Sequence, residues 1–190
     1  MPQRPAEPHP GPFHDRPPWM RRRPDPDPIG PGQESVWDYP RPPRLERSER
    51  HVVVELDGTV IAETGAALRV LETSHPPVYY LPMADFAAGV LQSNPRRTFC
   101  EFKGWAAYHD VRAPAAGTDR IEVAAGWSYP EPTPGFEELA GHVALYPARM
   151  DRCTVDGEIV RAVQGDFYGG WVTDEVVGPF KGEVAGSQWW

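Results

Sequence analysis

Cysteines and long apolar runs are scarce in this chain. It has 190 residues, only two cysteines, Cys100 and Cys153, and no run of about 18 apolar residues of the kind that crosses a membrane. Two cysteines make a poor disulfide framework, so we expect both to be reduced. Residues 1–5 show none of the apolar character of a secretory signal. We therefore expect a cytoplasmic protein with no membrane partner.

Positive charge is scarce outside the N-terminal quarter. Residues 51–190 hold ten basic and 19 acidic side chains, whereas residues 1–50 hold nine arginines and eight acids. Non-specific affinity for nucleic acids comes mostly from neutralising phosphates, and an acidic domain repels them. We expect no nucleic-acid partner.

The motifs of common catalytic sites are also missing. The sequence contains no Gly-x-Ser-x-Gly and no Gly-x-x-x-x-Gly-Lys-Ser/Thr. Ser128 lies between Trp127 and Tyr129 on a predicted strand, not at a nucleophile turn. Neither a serine hydrolase nor a phosphate-binding loop is indicated.

Metal ligands lack the required spacing. Lys103 stands three residues after Cys100, where a zinc knuckle has its second cysteine. The pair Asp25 and Asp27 falls in a proline-rich segment that would not hold ligands in place. We expect no metal and no cofactor.

The N-terminal segment is rich in proline. Residues 1–50 contain 14 of the 24 prolines, and their large apolar side chains follow no period. Such a segment favours neither helix nor sheet and buries little surface, which predicts a disordered arm. Residues 35–40 are an exception that could dock on the domain as a short strand. The arm could also recruit a protein partner through proline-rich docking.

From His51 onward the sequence is typical of a β protein. Two β-rich runs flank Asp57-Gly58, and two more flank Asp156-Gly157, which predicts two hairpins. Further strands are predicted at residues 66–73, 78–81, 98–102, 105–111, 121–129 and 142–146. A short helix is predicted from Pro82 to near Pro95, and a helical turn at residues 134–139.

The predicted organisation has three parts. A disordered arm covers residues 1–50, and a mainly β domain with antiparallel sheet and one or two short helices covers residues 51–155. A C-terminal hairpin and tail at residues 156–190 are rich in glycine and aromatic residues. Because exposed clusters of large rings are unusual in soluble monomers, we expect this tail to pack on the domain.

A candidate site emerges around residues 99–105, where aromatic, thiol, acidic and amine groups are close in sequence. On a strand, Cys100 and Phe102 would share one face, and Glu101 and Lys103 the other. Gly104 would permit a bend or the close approach of a ligand. The predicted binding residues are Tyr80, Cys100, Lys103, Gly104, Tyr108, Trp127 and Tyr129. The alternative is an ordinary aromatic sheet core.

Five blocks of the sequence resemble a bacterial family known as domain of unknown function 427. They are residues 57–63, 71–82, 100–108, 125–132 and 141–146. The resemblance covers about residues 51–155, and the tail resembles an extension carried by actinobacterial members.

This resemblance implies a β-tent fold, in which two antiparallel sheets are joined at one edge around a cavity. Several β-tent proteins carry zinc in paired cysteine knuckles, but Lys103 replaces the cysteine that such a knuckle needs after Cys100. The family is sometimes labelled nucleotidyltransferase-like. The absent metal carboxylates argue against that activity here.

Three hypotheses of function follow. The first is a module that binds a small molecule or a peptide end in an aromatic pocket, with Lys103 facing an anionic or carbonyl group. The second is an enzyme of unknown reaction that uses Lys103 or Cys100. The third is a scaffold that acts through its proline-rich arm.

Overall fold

The computed structural model describes residues 24–114, 120–163, 169–183 and 187. Within these residues the protein is mainly β, with antiparallel sheets and three 3₁₀ helices of three residues each. The predicted fold class is therefore confirmed. No helix in the described ranges has the length and apolar character to cross a membrane.

The described residues form fifteen strands. In chain order they are β1 (Glu34–Ser35), β2 (Arg44–Ser48), β3 (Val52–Leu56), β4 (Thr59–Thr64), β5 (Ala67–Leu71), β6 (Val78–Pro82), β7 (Leu91–Cys100), β8 (Gly104–Arg112), β9 (Ile121–Ser128), β10 (His142–Leu145), β11 (Arg152–Val155), β12 (Glu158–Ile159), β13 (Arg161–Ala162), β14 (Trp171–Val172) and β15 (Val176–Val177). The 3₁₀ helices are Met83–Asp85, Glu137–Leu139 and Pro147–Arg149.

Two antiparallel sheets make up the body of the domain. The larger has seven strands in the order β2-β5-β6-β10-β9-β8-β7, and the smaller has four in the order β12-β11-β3-β4. Two further pairs of short strands involve the C-terminal segment. The parallel pair β1–β15 joins it to the N-terminal segment, and the antiparallel pair β13–β14 joins it to the chain just after β12.

The main hydrophobic core contains side chains from both sheets. Val52, Val54 and Leu56 alternate along β3 and are fully buried, and they belong to the same cluster as Leu81 and Val143 of the larger sheet. This alternation is typical of a strand that has one face on the core. Each fully buried aliphatic side chain there stabilises the fold by about 1.5–3 kcal/mol.

Both predicted Asp-Gly hairpins are confirmed. Asp57 and Gly58 have φ angles of 52° and 69°, and Asp156 and Gly157 have φ angles of 51° and 83°. Positive φ at both central residues is the type I′ geometry, whose twist matches that of the flanking strands. β3 pairs with β4 across the first turn, and β11 pairs with β12 across the second.

The predicted helix between Pro82 and Pro95 is wrong. The chain makes one 3₁₀ turn at Met83–Asp85 and then extends, and the Ala87 N–H donates to the Ile61 carbonyl at 2.9 Å. Pairing with β4 therefore outweighs the weak helical preference of a short segment. Pro95 is tolerated in β7 because β7 lies at the edge of its sheet, where an N–H is dispensable.

The predicted disordered arm over residues 1–50 needs correction in its second half. Residues 1–23 lie outside the described residues. Strands β1 and β2 form within the rest, and Val36, Trp37 and Tyr39 are buried in a cluster with C-terminal side chains. The physical reason is that these apolar side chains pack against partners more than a hundred residues away, which local periodicity does not register. The docking expected of residues 35–40 is observed.

The C-terminal segment lies against the domain. Trp171 is fully buried, its ring centroid is 5.2 Å from that of Tyr79, and its Nε1 donates to the Leu145 carbonyl at 3.3 Å. The main core cluster includes Trp171. This segment thus contributes one of the largest side chains of that core.

Candidate functional site

A row of aromatic side chains lies on one face of the seven-stranded sheet. Tyr80 is directly opposite Leu68 on one side and Ala144 on the other. Ala144 is opposite Trp127, which is opposite Tyr108. Direct partners in antiparallel strands project from the same face. Sheet register therefore unites aromatic residues that are distant in sequence.

A cavity of about 390 Å³ borders this face. Six of the seven predicted site residues line it, namely Tyr80, Cys100, Lys103, Tyr108, Trp127 and Tyr129. The volume lies at the lower end of the range found for small-molecule sites. The aromatic residues are thus buried members of a core cluster that also border the cavity.

Gly104 does not line the cavity and has a structural role. It ends the turn between β7 and β8 with a φ of 93°, and a Cβ there would lie 3.5 Å from the Glu131 carbonyl oxygen. Glycine adopts this left-handed conformation without strain. The bend expected at Gly104 is observed, and what approaches its backbone is a loop of the protein itself.

The turn also corrects the predicted strand faces. β7 ends at Cys100, and residues 101–103 form the turn, so the alternation expected over residues 98–102 stops early. Cys100 and Lys103, assigned to opposite faces, both line the cavity. Thr133 fixes the turn, because its N–H donates to the Lys103 carbonyl at 3.3 Å and its hydroxyl donates to the Phe102 carbonyl.

The aromatic wall is held by polar and ring contacts. Trp127 Nε1 donates a hydrogen bond of 3.0 Å to the Tyr80 hydroxyl, and the two rings meet edge to face with centroids 6.2 Å apart. The centroids of Trp127 and Tyr146 are 4.5 Å apart, and those of Tyr80 and Tyr129 are 6.3 Å apart. Edge-to-face and offset pairs of this kind stabilise one arrangement of rings.

Both lysines of the chain line this cavity. Lys103 and Lys181 are its only lysines, and each is only 8% exposed. The Lys103 ammonium lies 5.8 Å from the Tyr129 ring centroid, within cation–π range. Burial and the nearby positive charge of Arg41 lower the pKa of Lys181, while Glu72 opposes this shift.

Other charged groups complete the lining. Arg41 forms ion pairs with Glu72 at 2.7 Å and with Glu101 at 3.2 Å, and the Arg96 guanidinium lies 4.4 Å above the Tyr108 ring centroid. With the two lysines, the lining has four lysine or arginine side chains, one histidine (His75) and two acidic side chains, in a chain whose net charge is −8. The cavity lining therefore differs in charge from the chain as a whole.

The C-terminal segment covers one side of the cavity. Gly169 and Gly170 both line it, and a Cβ at Gly169 would overlap the Trp127 ring. A Cβ at Gly170 would lie 3.1 Å from the Pro76 ring. Only glycine lets the backbone approach these rings so closely.

Sequence reasoning missed several lining residues. Tyr146 is the last residue of the strand predicted at 142–146, where the period of two places it on the same face as Ala144, so periodicity was a usable signal. Arg41 and Lys181 gave no such signal, because neither lies on a strand and both flank the part of the sequence that is typical of a β protein.

Cys100 and Cys153 differ in environment. Cys100 is partly exposed and lines the cavity together with Tyr129. Burial, Tyr80 and Cys100 all raise the pKa of the Tyr129 hydroxyl. Cys153 is buried in the main core, where burial raises its pKa to about 12. Only Cys100 borders the cavity.

A histidine–serine pair lies apart from the cavity. His109 Nε2 and Ser128 Oγ are 2.8 Å apart, and burial lowers the pKa of His109. Ser128 is 1% exposed and is not among the residues that line the cavity. Among the residues that the structure describes, no group of three His, Cys, Asp or Glu side chains could hold a metal ion.

Comparison with known proteins agrees with the sequence blocks. No curated protein is significantly similar to the chain. The family NTP_transf_9, described as a domain of unknown function (DUF427), matches residues 44–156. This span contains β2 to β11 and most of the cavity-lining residues. The chain belongs to the DUF427 family.

Proposed function

We propose that the protein is a binding module for a small molecule, or a peptide end, that carries an anionic group beside a flat apolar part. The observation that supports this most strongly is the placement of Lys103, which is largely buried in an aromatic cavity and forms no ion pair with a described carboxylate. Burying an ammonium group is costly unless an opposite charge compensates it. An anionic ligand would provide that charge.

Lys103 makes the need for a ligand most evident. No carboxylate among the described residues forms an ion pair with it, although the chain as a whole is acidic. Its ammonium group makes a cation–π contact with the Tyr129 ring, at 5.8 Å from the ring centroid. A ligand carboxylate or phosphate next to Lys103 would form a charge-assisted hydrogen bond, which is roughly twice as strong as a neutral one.

The aromatic rings suit the apolar part of the ligand. Tyr80, Trp127 and Tyr129 form a wall whose geometry is already fixed by contacts among its members. A flat ring stacked on such a wall gains about 0.5–1.5 kcal/mol beyond its buried area. A rigid wall also lowers the entropy cost of binding.

A cytoplasmic location is part of this proposal. Both cysteines are free thiols, which suits a reducing compartment.

Benzoate and benzamide form a matched pair for the test, since they have nearly the same shape and differ in charge. We expect benzoate to raise the melting temperature in proportion to ln(1 + [L]/Kd), and benzamide to raise it less. In the Lys103→Gln variant, benzoate and benzamide should raise the melting temperature by the same amount. Arg152→Gln removes a positive charge from the smaller sheet, away from the cavity, and should retain the difference between the two ligands.

Peptide ends are tested with a tripeptide that ends in phenylalanine, as the free acid and as the amide. Stabilisation by the free acid alone, stronger than that by benzoate, would assign the site to peptide ends. Equal stabilisation by benzoate and benzamide in the wild-type protein would refute the anion-binding proposal.

A further inference from the structure

We infer that Cys100 is a site of covalent modification, whose thiolate reacts with electrophiles that carry a carboxylate. The inference rests on the proposed function, because Lys103 would hold that carboxylate in the same cavity. The class of ligand would be an α,β-unsaturated carboxylate or another carboxylate with an electrophilic carbon.

The placement of three side chains supports this inference. Cys100 and Lys103 stand at the start and end of one tight turn and both line the cavity. Tyr129 lines the same cavity, and its ring lies beneath the Lys103 ammonium, with 5.8 Å between the ammonium nitrogen and the ring centroid. Cys100 is partly exposed at the cavity, so an electrophile whose carboxylate is held by Lys103 would lie in the same cavity as its sulfur.

Lys103 supplies an observation independent of the cysteine. It is more than nine-tenths buried, it lines the cavity, and no described carboxylate forms an ion pair with it. An ammonium in that setting attracts anions from solution. The lysine would therefore concentrate an anionic electrophile beside the sulfur.

The reaction needs no additional oxidant or reductant. The thiol proton passes to water, and an electron pair of the sulfur forms a bond to the electrophilic carbon. In an unsaturated carboxylate the double-bond electrons move to the α-carbon, which takes a proton from water. In a haloacetate the carbon–halogen electron pair leaves as halide. The product in both cases is a thioether.

Competing alkylation by iodoacetate and iodoacetamide tests the inference on the full chain. Mass spectrometry of peptides gives the rate at each cysteine, and N-acetylcysteine gives the reference ratio of the two rates. We expect Cys100 to favour iodoacetate about fivefold more than the reference does, the size expected for one partly solvated charge. Cys153, buried and with a raised pKa, should remain unlabelled in the folded chain.

Lys103→Gln should return the ratio at Cys100 to the reference, and Lys103→Arg should keep it raised. Because Lys103→Gln could impair folding, salt provides a second measurement on the wild-type protein. Raising the salt concentration to 0.5 M should lower the ratio by screening.

Two results would overturn the inference: an unreactive Cys100 in the folded chain, or a rate ratio equal to that of N-acetylcysteine. If benzoate still stabilises the protein more than benzamide does, only the covalent inference fails. If benzoate shows no advantage either, the anion site itself is refuted.

Discussion

Two buried tyrosines allow the same substitution to be compared at one site where it should lower stability and at another where it should not. The Tyr80 hydroxyl accepts the hydrogen bond from Trp127 Nε1 at the cavity wall. The Tyr39 hydroxyl is also buried but has no hydrogen-bond partner among the described residues. Both Tyr80→Phe and Tyr39→Phe remove one oxygen atom and leave the ring in place.

The expected loss of stability depends on whether the removed hydroxyl leaves a hydrogen-bond partner unsatisfied. In Tyr80→Phe the indole N–H of Trp127 loses its acceptor in a buried site, which should cost about 1–3 kcal/mol of unfolding free energy. For a chain of this size that corresponds to a melting temperature lower by about 2–12 °C. Tyr39→Phe removes a polar atom that forms no hydrogen bond, so its stability should stay within about 0.5 kcal/mol of wild type.

Urea unfolding followed by circular dichroism measures both variants, with an unchanged m value as evidence that only stability has changed. Adding Trp127→Phe to each variant completes a double-mutant cycle, which should show coupling with Tyr80 and none with Tyr39. Equal losses of stability in the two tyrosine variants would refute the assigned hydrogen bond.

Three further variants, two of them with a matched control, test the packing and the pH dependence. Trp171→Ala should cost about 3–5 kcal/mol because its side chain is fully buried, whereas Trp105→Ala, at a residue that is 63% exposed, should cost little in the same urea assay. Gly169→Ala should destabilise by about 1–3 kcal/mol because its Cβ would overlap the cavity tryptophan, while Gly65→Ala, whose nearest contact would be 3.9 Å away, should be close to neutral in thermal melts. Burial lowers the pKa of His75, so the unfolded chain binds its proton at higher pH than the folded chain does. Stability should therefore fall as pH drops below about 6.5, and His75→Gln should flatten that slope in a pH series of melts. An unchanged slope, or equal losses within either matched pair, would contradict these assignments.

Local signals in the sequence were sufficient where neighbours along the chain determine the structure. The Asp57-Gly58 and Asp156-Gly157 hairpins depend on two residues that readily adopt positive φ, and both form. Much of the aromatic lining was also predicted, because Tyr80, Trp127 and Tyr129 lie on aromatic-rich segments that were predicted to be strands of one antiparallel sheet. Their convergence on a single cavity required the sheet register as well.

Features that depend on distant partners were not predictable in this way. The segment from Pro82 to Pro95 has some helical character, but its pairing with β4 determines its conformation. Val36 and Trp37 resemble isolated apolar residues in a proline-rich arm, and they are buried by C-terminal side chains. No local pattern encodes these long-range contacts.

The cavity combines residues from inside and outside the matched family span. Residues 44–156 supply Lys103 and the aromatic wall, whereas Arg41 and Lys181 come from the flanking segments. This division predicts that Lys103 provides most of the affinity for any anion. It also predicts that the flanking residues determine which anion is preferred. A second positive charge should favour a dianion over a monoanion of similar shape.

Phthalate and benzoate test this division, since phthalate adds a second carboxylate to the same ring. We expect the wild-type protein to bind phthalate more tightly, by about fivefold, in a titration followed by tryptophan fluorescence. Lys181→Gln should remove that preference and keep most of the benzoate affinity, whereas Lys103→Gln should weaken both. If Lys181→Gln weakens both ligands equally, the two lysines act as one anion site, and the flanking segments do not determine ligand choice.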